Sequence, residues 1–554
     1  MPVLFRGRVN FYLKMQRGQD TIKQYIGTER KSGNVADEGY TYRNRKVRQI
    51  LIIGGGASGL LAAIMAAREG AEVTLLEHKD RLGKKILSTG NGRCNLGNRR
   101  MEKDCYHSGE EEFPWRVLEW FGLQENLDFW KELGLVLKEK NGYLYPWSES
   151  AASVADLLAR TVRELSVEII LECHVSSCEP CKQEVLYEET LQNRRVFRVR
   201  TDQGDFFAER VILAAGSKAA SVLGSDGSGY EIAKNMGLSI QTVLPALVQL
   251  RCIGTFFKVW SGVRVEAQVH LFVDGKEVAH DTGEVQCTEY GISGIPVFQV
   301  SRFAAIGLFE EKKVEVFLDF LPFLNEREKT GWLKERCERF GMRKAEELLD
   351  GVIHKKLAWV LLGCAGIARE QTVCDISFSQ REKLNRLLLA FRLEVSGTNS
   401  FEQAQICCGG ICTNEVCSTT MEAKQISGLY LCGEILDVDG ICGGYNLQWA
   451  FSSGMLAGQT AAKALKREYQ KEERHWDESF WVREKEDKKS LKKRSEIPEK
   501  ERCKTYDSNS AVKTSNYTHR KDAVRKGSEN AAHPSHKHRG ASHHQTVHRC
   551  KKKR

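Results

Sequence analysis

The chain has 554 residues, of which 41% are hydrophobic and 28% charged, a globular composition that excludes collagen-like, wholly disordered and membrane-bundle proteins. The net charge of +10 lies at the ends, because residues 1–48 carry +7 and residues 471–554 carry +11, while the middle is mildly acidic. This distribution excludes a basic nucleic-acid-binding core and confines any affinity for polyanions to the ends.

The first 47 residues are polar and basic, and we expect either a flexible extension there or upstream sequence outside the working protein. They contain no apolar run of signal-peptide length, so we expect a cytoplasmic protein whose 18 cysteines are free thiols. The longest apolar stretch, Leu51 to Ala67, is too short and too rich in glycine for a transmembrane helix.

A β-α-β unit begins at Arg48. Gln49–Ile53 predicts a buried strand, Ala57–Glu69 has small and apolar residues at helical spacing, and Glu72–Leu76 predicts a second strand. Such a unit is typical of the start of a parallel sheet covered by helices.

The turn of this unit carries the pattern G-x-G-x-x-G. Gly54 permits a tight turn, Gly56 lets a pyrophosphate approach the backbone, and Gly59 allows close packing of helix on strand. The helix N-terminus offers free N–H groups to phosphates. Glu77, at the end of the second strand, can accept hydrogen bonds from ribose hydroxyls and disfavours a 2′-phosphate. The pattern therefore predicts FAD or NAD rather than NADP.

Further along the chain, the segments that resemble single strands of an α/β domain are Val167–Leu171, Val196–Thr201 and Arg210–Leu213. From about Pro245 the sequence pattern changes to short runs in which apolar and polar residues alternate, separated by turn signals. This pattern predicts antiparallel strands to residue 320.

Residues 326–368 have a helical pattern, and the glycine-rich α/β texture returns from Thr398 to Lys466. This order predicts one α/β domain built from two segments around an inserted domain. The chain after Lys466 is almost purely polar, and we predict a disordered tail whose histidine tract, at 533–548, lacks zinc-finger spacing.

Two longer motifs carry a family resemblance. They read K-I-L-S-T-G-N-G-R-C-N at residues 85–95 and G-E-I-L-D-V-D-G-I-C-G-G-Y-N-L-Q at residues 433–448. Together with the strand that ends at Ala215-Gly216-Ser217, they resemble the bacterial BaiN/YhiN-type flavoproteins, also called the aminoacetone-oxidase-like NAD(P)/FAD-dependent oxidoreductase family. The resemblance spans about Arg48 to Lys466; its departures, Gly97 and the sequence at 215–217, remove no charged group.

The resemblance implies an α/β fold with a Rossmann-like FAD-binding domain made of segments 48–243 and 397–466. An antiparallel β-barrel and a small helical subdomain would be inserted at 244–396. A basic extension at 1–47 and a basic disordered tail at 467–554 would flank this core, and neither belongs to the family pattern.

The resemblance also implies cofactor contacts. The glycine motif would hold the pyrophosphate, Glu77 the ribose, Val175 the adenine, and Asn446 with Leu447 the pyrimidine edge of the flavin. The complete implied set is Gly54, Gly56, Ala57, Ser58, Gly59, Glu77, Lys84, Lys85, Gly90, Asn91, Gly92, Arg93, Cys94, Asn95, Val175, Ala215, Gly216, Gly433, Glu434, Asp437, Gly444, Tyr445, Asn446 and Leu447.

The residues around 445 give an independent reason for the last of these contacts. Gly443-Gly444 followed by an apolar, helix-prone run predicts a helix N-terminus at about Tyr445–Gln448. Its positive end would stabilise negative charge on a reduced flavin.

The cysteines suggest two further sites, and we expect neither. Cys412 and Cys417 have the spacing of flavin-linked disulfide reductases, but those enzymes carry the pair after the ribose-binding strand, where this chain has only Cys94. Cys178 and Cys181 form a lone C-x-x-C without a second zinc-type pair, so no metal is predicted.

Catalytic acid–base residues are not assigned by the sequence. Arg93 and Asn91 either polarise a substrate or hold their loop against the flavin, and Tyr290 either faces the substrate or is structural.

Several functions stay open. An FAD-dependent oxidoreductase is expected to transfer hydride between the flavin and a small organic substrate. One version is an NAD(P)H-dependent reductase of a conjugated enone, as in bile-acid ring reduction, and another is an aminoacetone-type amine oxidase using oxygen. The single G-x-G-x-x-G makes NAD(P)H a transient donor. A redox sensor and a flavin-containing RNA-binding protein are alternatives, with no membrane partner and only weak nucleic-acid contacts through the tails.

Overall fold

A computed structural model describes residues 47–187 and 190–495, with side chains placed except in 183–194 and 472–495. The predicted extension at 1–47 and the histidine tract at 533–548 therefore lie almost wholly outside the described residues. The chain divides into two units, Met1–Arg474 and His475–Arg554, and of the second only helical residues to Ser495 are described.

The strands of the described residues, numbered in chain order, are β1 (Val47–Ile53), β2 (Val73–Leu76), β3 (Gly97–Asn98), β4 (Tyr106–Ser108), β5 (Leu137–Lys140), β6 (Tyr143–Pro146), β7 (Glu168–Ile170), β8 (Val175–Tyr187), β9 (Thr190–Thr201), β10 (Gly204–Leu213), β11 (Ile240–Ala246), β12 (Leu250–Ile253), β13 (Arg264–Val273), β14 (Lys276–Cys287), β15 (Gly291–Gly294), β16 (Val314–Asp319), β17 (Phe391–Thr398), β18 (Ile406–Ile411), β19 (Leu429–Leu431) and β20 (Val438–Gly440). The α-helices are α1 (Ala57–Arg68), α2 (Phe113–Leu118), α3 (Leu123–Glu132), α4 (Ala151–Glu164), α5 (Ser228–Asn235), α6 (Phe257–Trp260), α7 (Ile295–Phe309), α8 (Glu326–Arg339), α9 (Lys355–Ala365), α10 (Phe378–Leu389) and α11 (Tyr445–Ser495).

The first domain is built on a seven-stranded sheet in the order β7-β2-β1-β10-β9-β8, with β19 also paired to β10. The pairs β2–β7, β1–β2, β1–β10 and β10–β19 are parallel, whereas β8, β9 and β10 form an antiparallel meander. Residues Ile50 to Ile53 of β1 are apolar and buried because both faces of this part of the strand are covered, as parallel strands require. The predicted β-α-β unit is confirmed.

The second domain is a closed antiparallel barrel in the order β12-β15-β14-β13-β16-β17. It interrupts the first domain between β11 and β18, which pair with each other. The predicted fold class, a two-segment Rossmann-like domain with an inserted antiparallel barrel, is confirmed. Helices α8, α9 and α10 share one hydrophobic core with the barrel, so the helical part is packed onto it.

The backbones of helices α1 and α11 approach each other unusually closely. A Cβ added at Gly454 would lie 2.3 Å from the carbonyl oxygen of Ser58, and one at Gly458 would lie 2.1 Å from that of Ala62. Two glycines spaced by four residues thus let the two backbones touch. This contact joins the first segment of the domain to the second.

The predicted disorder from residue 467 was wrong for residues 467–495, because α11 continues to Ser495. Its buried first half forms a ready template, and the polar continuation is rich in glutamate, lysine and arginine, which are strong helix formers. Residues 496–554 lie outside the described residues. Within the described part of the chain, no helix combines the length and apolar character needed to cross a bilayer.

Candidate functional site

A cleft lies where the carboxyl ends of β1, β2 and β10 meet. This is the edge at which open α/β sheets bind ligands. Thirteen of the residues singled out by sequence line it: Gly54, Gly56, Ala57, Ser58, Glu77, Lys84, Lys85, Val175, Ala215, Gly216, Glu434, Asn446 and Leu447. Both segments of the domain therefore contribute to a single cleft.

The three glycines of the G-x-G-x-x-G pattern, Gly54 and Gly56 in the β1–α1 turn and Gly59 in α1, have different geometries. Gly54 has φ of +106°, and a Cβ there would lie 2.4 Å from the carbonyl oxygen of Ala214. A Cβ on Gly59 would lie 1.8 Å from the carbonyl oxygen of Gly54, so this glycine sets the approach of helix to strand. Gly56 is different, because a Cβ there would meet nothing within 4 Å and its backbone lines the cleft.

Glu77 lies at the end of β2 with its carboxylate already engaged. One oxygen accepts a hydrogen bond of 2.7 Å from the backbone N–H of Gly55, and the other accepts one of 2.8 Å from that of Lys79. The carboxylate is therefore held at the cleft wall by the turn itself. His78 also lines the cleft, and among the described residues its Nε2 has no hydrogen-bond partner.

A short helical segment that runs from Lys84 to Gly92 contributes another side of the cleft. Lys85 forms an ion pair of 2.7 Å with Glu434, which also accepts a hydrogen bond of 3.2 Å from the N–H of Cys407. Lys84 instead pairs with Asp80 at 3.0 Å near the surface. The Lys85–Glu434 pair thus ties the first segment to the second across the cleft.

Helix α11 begins at Tyr445, which confirms the predicted N-terminus. The side chain of Asn446 is bound twice to Gly440, donating to its carbonyl oxygen at 2.7 Å and accepting from its N–H at 2.8 Å. Gly444 lies against the Asn95 side chain, where a Cβ would approach the amide oxygen to 2.7 Å. The start of this helix is fixed by β20 and by the 90–95 loop.

The remaining residues singled out by sequence lie outside the cleft lining. Asp437 accepts a hydrogen bond of 3.0 Å from the N–H of Gly109, and burial raises its pKa. Tyr445 accepts, through its carbonyl, a hydrogen bond of 3.1 Å from the Tyr106 hydroxyl. The full group is Gly59, Gly90, Asn91, Gly92, Arg93, Cys94, Asn95, Gly433, Asp437, Gly444 and Tyr445.

Helix α7 of the barrel contacts the segment before α11, through residues that the sequence did not single out. Arg302 donates a hydrogen bond of 2.8 Å to Asp439, and Gln299 accepts one of 2.7 Å from the N–H of Cys442. Asp439 is almost fully buried, and its burial raises its pKa to about 7 against the opposing effect of Arg302. The two domains thus meet through a buried ion pair.

His107 on β4 lies in a second cavity beside this contact, with its ring against Phe303 at 5.5 Å between centroids. Burial, and then the charge of Arg302, lowers the pKa of His107 to about 4. An exposed histidine has a pKa of about 6.5, so on acidification the unfolded chain takes up a proton that the folded protein refuses. Stability is therefore expected to fall as the pH drops below about 6.5.

We expect His107→Gln to remove this loss. Between pH 7 and pH 5 the free energy of unfolding of the variant should fall less than that of the parent, by about 2 kcal/mol. Denaturant unfolding of both proteins at the two pH values measures the difference, and other titrating groups are common to both. An equal fall of the free energy of unfolding in the two proteins would contradict His107 as the origin of the pH dependence.

The described cysteines are free thiols, including Cys412 and Cys417. Burial raises the pKa of Cys94 to about 11 and that of Cys432 to about 12. Thiols that stay protonated at neutral pH are poor nucleophiles. Their environment fits packing better than covalent chemistry.

The lining of the cleft has the features that a flavin dinucleotide requires. The N-terminus of α1 has no side-chain cap, and the backbone of Gly56 in front of it is open, as a pyrophosphate requires. His78, whose Nε2 has no partner among the described residues, and Glu77 line the cleft, and the first turn of α11 lines it as well. The residues present fit FAD.

Comparison with known proteins gives one family. The model described as "HI0933-like protein Rossmann domain" matches residues 48–460. The chain is 44% identical over 419 residues to the 3-dehydro-bile acid delta(4,6)-reductase of Clostridium scindens, a match that covers 75% of this chain and 100% of that protein.

Two more distant similarities were found. The chain is 28% identical over 406 residues to the ribosomal RNA dihydrouridine synthase of Haemophilus influenzae, covering 73% of this chain and 96% of that protein. Among solved structures, the 3-ketosteroid delta1-dehydrogenase of Sterolibacterium denitrificans matches with a TM-score of 0.40 and 12% identity, covering 76% of this chain and 100% of that one.

Proposed function

The chain belongs to the HI0933-like Rossmann family, and from that premise we propose that this oxidoreductase uses FAD to reduce a carbon–carbon double bond conjugated to a carbonyl group. The observation that carries the proposal is the 44% identity that spans the whole length of a 3-dehydro-bile acid delta(4,6)-reductase. The double bonds in that name are conjugated to a 3-oxo group.

The second relative supports the same class of reaction. Dihydrouridine differs from uridine by two hydrogens on a ring double bond that is conjugated to a carbonyl. Both names therefore describe addition of hydride and a proton to a polarised C=C bond. Bound FAD would supply the hydride.

The chain's own residues would bind and orient the cofactor. In this proposal the backbone at Gly56 and the N-terminus of α1 hold the pyrophosphate, Glu77 accepts hydrogen bonds from the ribose, and Val175 contacts the adenine. The Lys85–Glu434 pair borders the cleft between these groups and α11, and the first turn of α11, at Asn446 and Leu447, carries the positive end that stabilises charge on the flavin.

The substrate would enter between the 90–95 loop and the barrel. The guanidinium of Arg93 lies 5.7 Å from the centre of the Tyr145 ring on β6. Burial, and secondarily neighbours that include Cys442 and the barrel residue Asp281, raises the pKa of Tyr143 on the same strand, so loop and barrel residues border one place. We propose that these groups line the substrate side and that NAD(P)H visits the same side as a transient donor.

Anaerobic stopped-flow absorbance tests this function. The oxidised, FAD-loaded protein is mixed with NADH, with NADPH or with aminoacetone, and the protein reduced by nicotinamide is then mixed with a 3-oxo-4,6-diene steroid, with uridine-containing ribosomal RNA or with oxygen. We expect a nicotinamide to bleach the visible flavin band and the dienone to restore it. Restoration by oxygen alone would contradict the reductase, and direct bleaching by aminoacetone would favour the amine oxidase.

A second candidate substrate, uridine in ribosomal RNA, is favoured by the relative at 28% identity and by the basic ends of the chain. It ranks below a small enone because the other relative shares 44% identity. Restoration of the flavin band by RNA but not by the dienone would reverse that order. The salt dependence of RNA binding, with and without residues 496–554, would then show whether the tail contributes.

A further inference from the structure

The outer face of the β13–β14 hairpin carries three converging side chains. His270 on β13 and His280 on β14 are directly opposite each other in the strand pairing. Their Nδ1 atoms lie 2.8 Å and 3.2 Å from the same carboxylate oxygen of Glu277. The potential ligand atoms of the three residues all lie within 4.8 Å of one another.

A β-bulge is responsible for this arrangement. Residues three apart on a regular strand face opposite sides of the sheet, so Glu277 and His280 should point apart. The pairing shifts instead, because Leu271 pairs with Ala279 while the next residue of β13 pairs with Glu277. Val278 is the extra residue, and it moves Glu277 onto the face of the two histidines. Bulges of this kind often re-aim a side chain at a functional position.

The geometry points to a metal site: we propose that His270, Glu277 and His280 bind a divalent transition-metal ion of the zinc class. In a tetrahedral zinc site with bonds of about 2.1 Å, neighbouring ligand atoms lie about 3.4 Å apart. The two nitrogen–oxygen distances need to grow by only about 0.2 to 0.6 Å to reach that value. Two imidazoles and one carboxylate are a ligand set that this class of ion prefers.

The hairpin also favours the ion electrostatically. Hydrogen bonds from His270, and secondarily the charges of both histidines, lower the pKa of Glu277, so its carboxylate is charged when a cation arrives. An ion bound at Nδ1 would take the place of the proton that each neutral imidazole can direct at that carboxylate, and the imidazole would then carry its proton on Nε2. Glu277 and His280 also line a cavity that extends to His107 and Gln299, which leaves room for water as a fourth ligand.

The experiment is a Zn²⁺ titration of the full-length, FAD-loaded protein against a chromogenic chelator. Because the six histidines of residues 533–548 can bind zinc themselves, the parent for the titration carries asparagine at those positions. In this background we expect one Zn²⁺ per chain, bound at least about tenfold more weakly after His280→Asn and after Glu277→Gln.

Glu284→Gln is the matched control. Glu284 lies on the same strand, is exposed and pairs with Arg264 at 2.8 Å, so its loss should leave zinc affinity unchanged. Zinc X-ray absorption of the parent should show nitrogen and oxygen ligands with two imidazoles. Absence of one-to-one binding, a dissociation constant that neither hairpin variant changes, or sulfur ligands from the free thiols would each overturn the proposal. The flavin absorbance spectrum confirms that each variant is folded.

Discussion

The variant Gly56→Asp is expected to fold as well as the parent chain and to bind FAD at least about 100-fold more weakly. Gly56 is the N-cap of α1, its φ of −77° is open to any residue, and the added side chain would meet no protein atom at its Cβ. Aspartate is a favoured N-cap, so the apo protein should lose no stability. Its carboxylate would face the proposed pyrophosphate site. In a partly buried cleft, the repulsion between this carboxylate and a phosphate exceeds the roughly 2.7 kcal/mol that a 100-fold change in affinity requires.

Fluorescence titration with FAD and denaturant unfolding of the apo protein measure the two effects separately. Gly56→Ala, which adds bulk without charge, should give a smaller loss of affinity. Gly397→Asp adds the same carboxylate at another open position, with nothing within 4 Å of its Cβ, and should leave FAD affinity unchanged. If Gly56→Asp binds FAD like the parent, the pyrophosphate does not lie on this turn.

The second large effect concerns stability. Gly458→Ala is expected to lower the free energy of unfolding by about 3 kcal/mol, because its Cβ would lie 2.1 Å from the carbonyl oxygen of Ala62 and would force α1 and α11 apart. The same substitution at Gly363, inside helix α9, meets nothing within 4 Å. Gly363→Ala should raise stability by about 0.5 to 1 kcal/mol, since alanine is the better helix former.

Denaturant unfolding of the two variants, each with and without FAD, tests whether the free energy of unfolding falls in Gly458→Ala and rises in Gly363→Ala. The chemical change and the helical context are alike, so the difference reports the contact between α1 and α11. A gain of stability in both variants would show that the helices do not approach as closely as the structure has them.

The parts of the site that the sequence predicted are those set by local chemistry. The G-x-G-x-x-G turn, the acidic end of β2 and the glycines before α11 each act within a few residues, and their spacing alone specifies a turn or a helix start. The inserted barrel was predicted through the family resemblance, because pairing among β12 to β17 joins residues up to about 150 positions apart and leaves only a weak alternation in the sequence.

The contacts that the sequence did not predict are set by tertiary packing. Arg302 and Asp439 are 137 residues apart and have no spacing that links them. Glu277 reaches the two histidines of its hairpin only because of a bulge, which alternation cannot reveal. Gly454 and Gly458 were visible as small residues, but only the path of α1 gives them a partner.

The contact between α1 and α11 has a consequence for synthesis. Gly458 is made 399 residues after Gly59, which at about 5 to 20 residues per second is a delay of roughly 20 to 80 seconds. During that interval the nascent chain has the β-α-β unit but lacks the helix that closes its cleft. Capture of the cofactor must therefore wait until α11 has been made, and a chain that stalls before α11 exposes the apolar side of α1 to the chaperones and proteases of the cell.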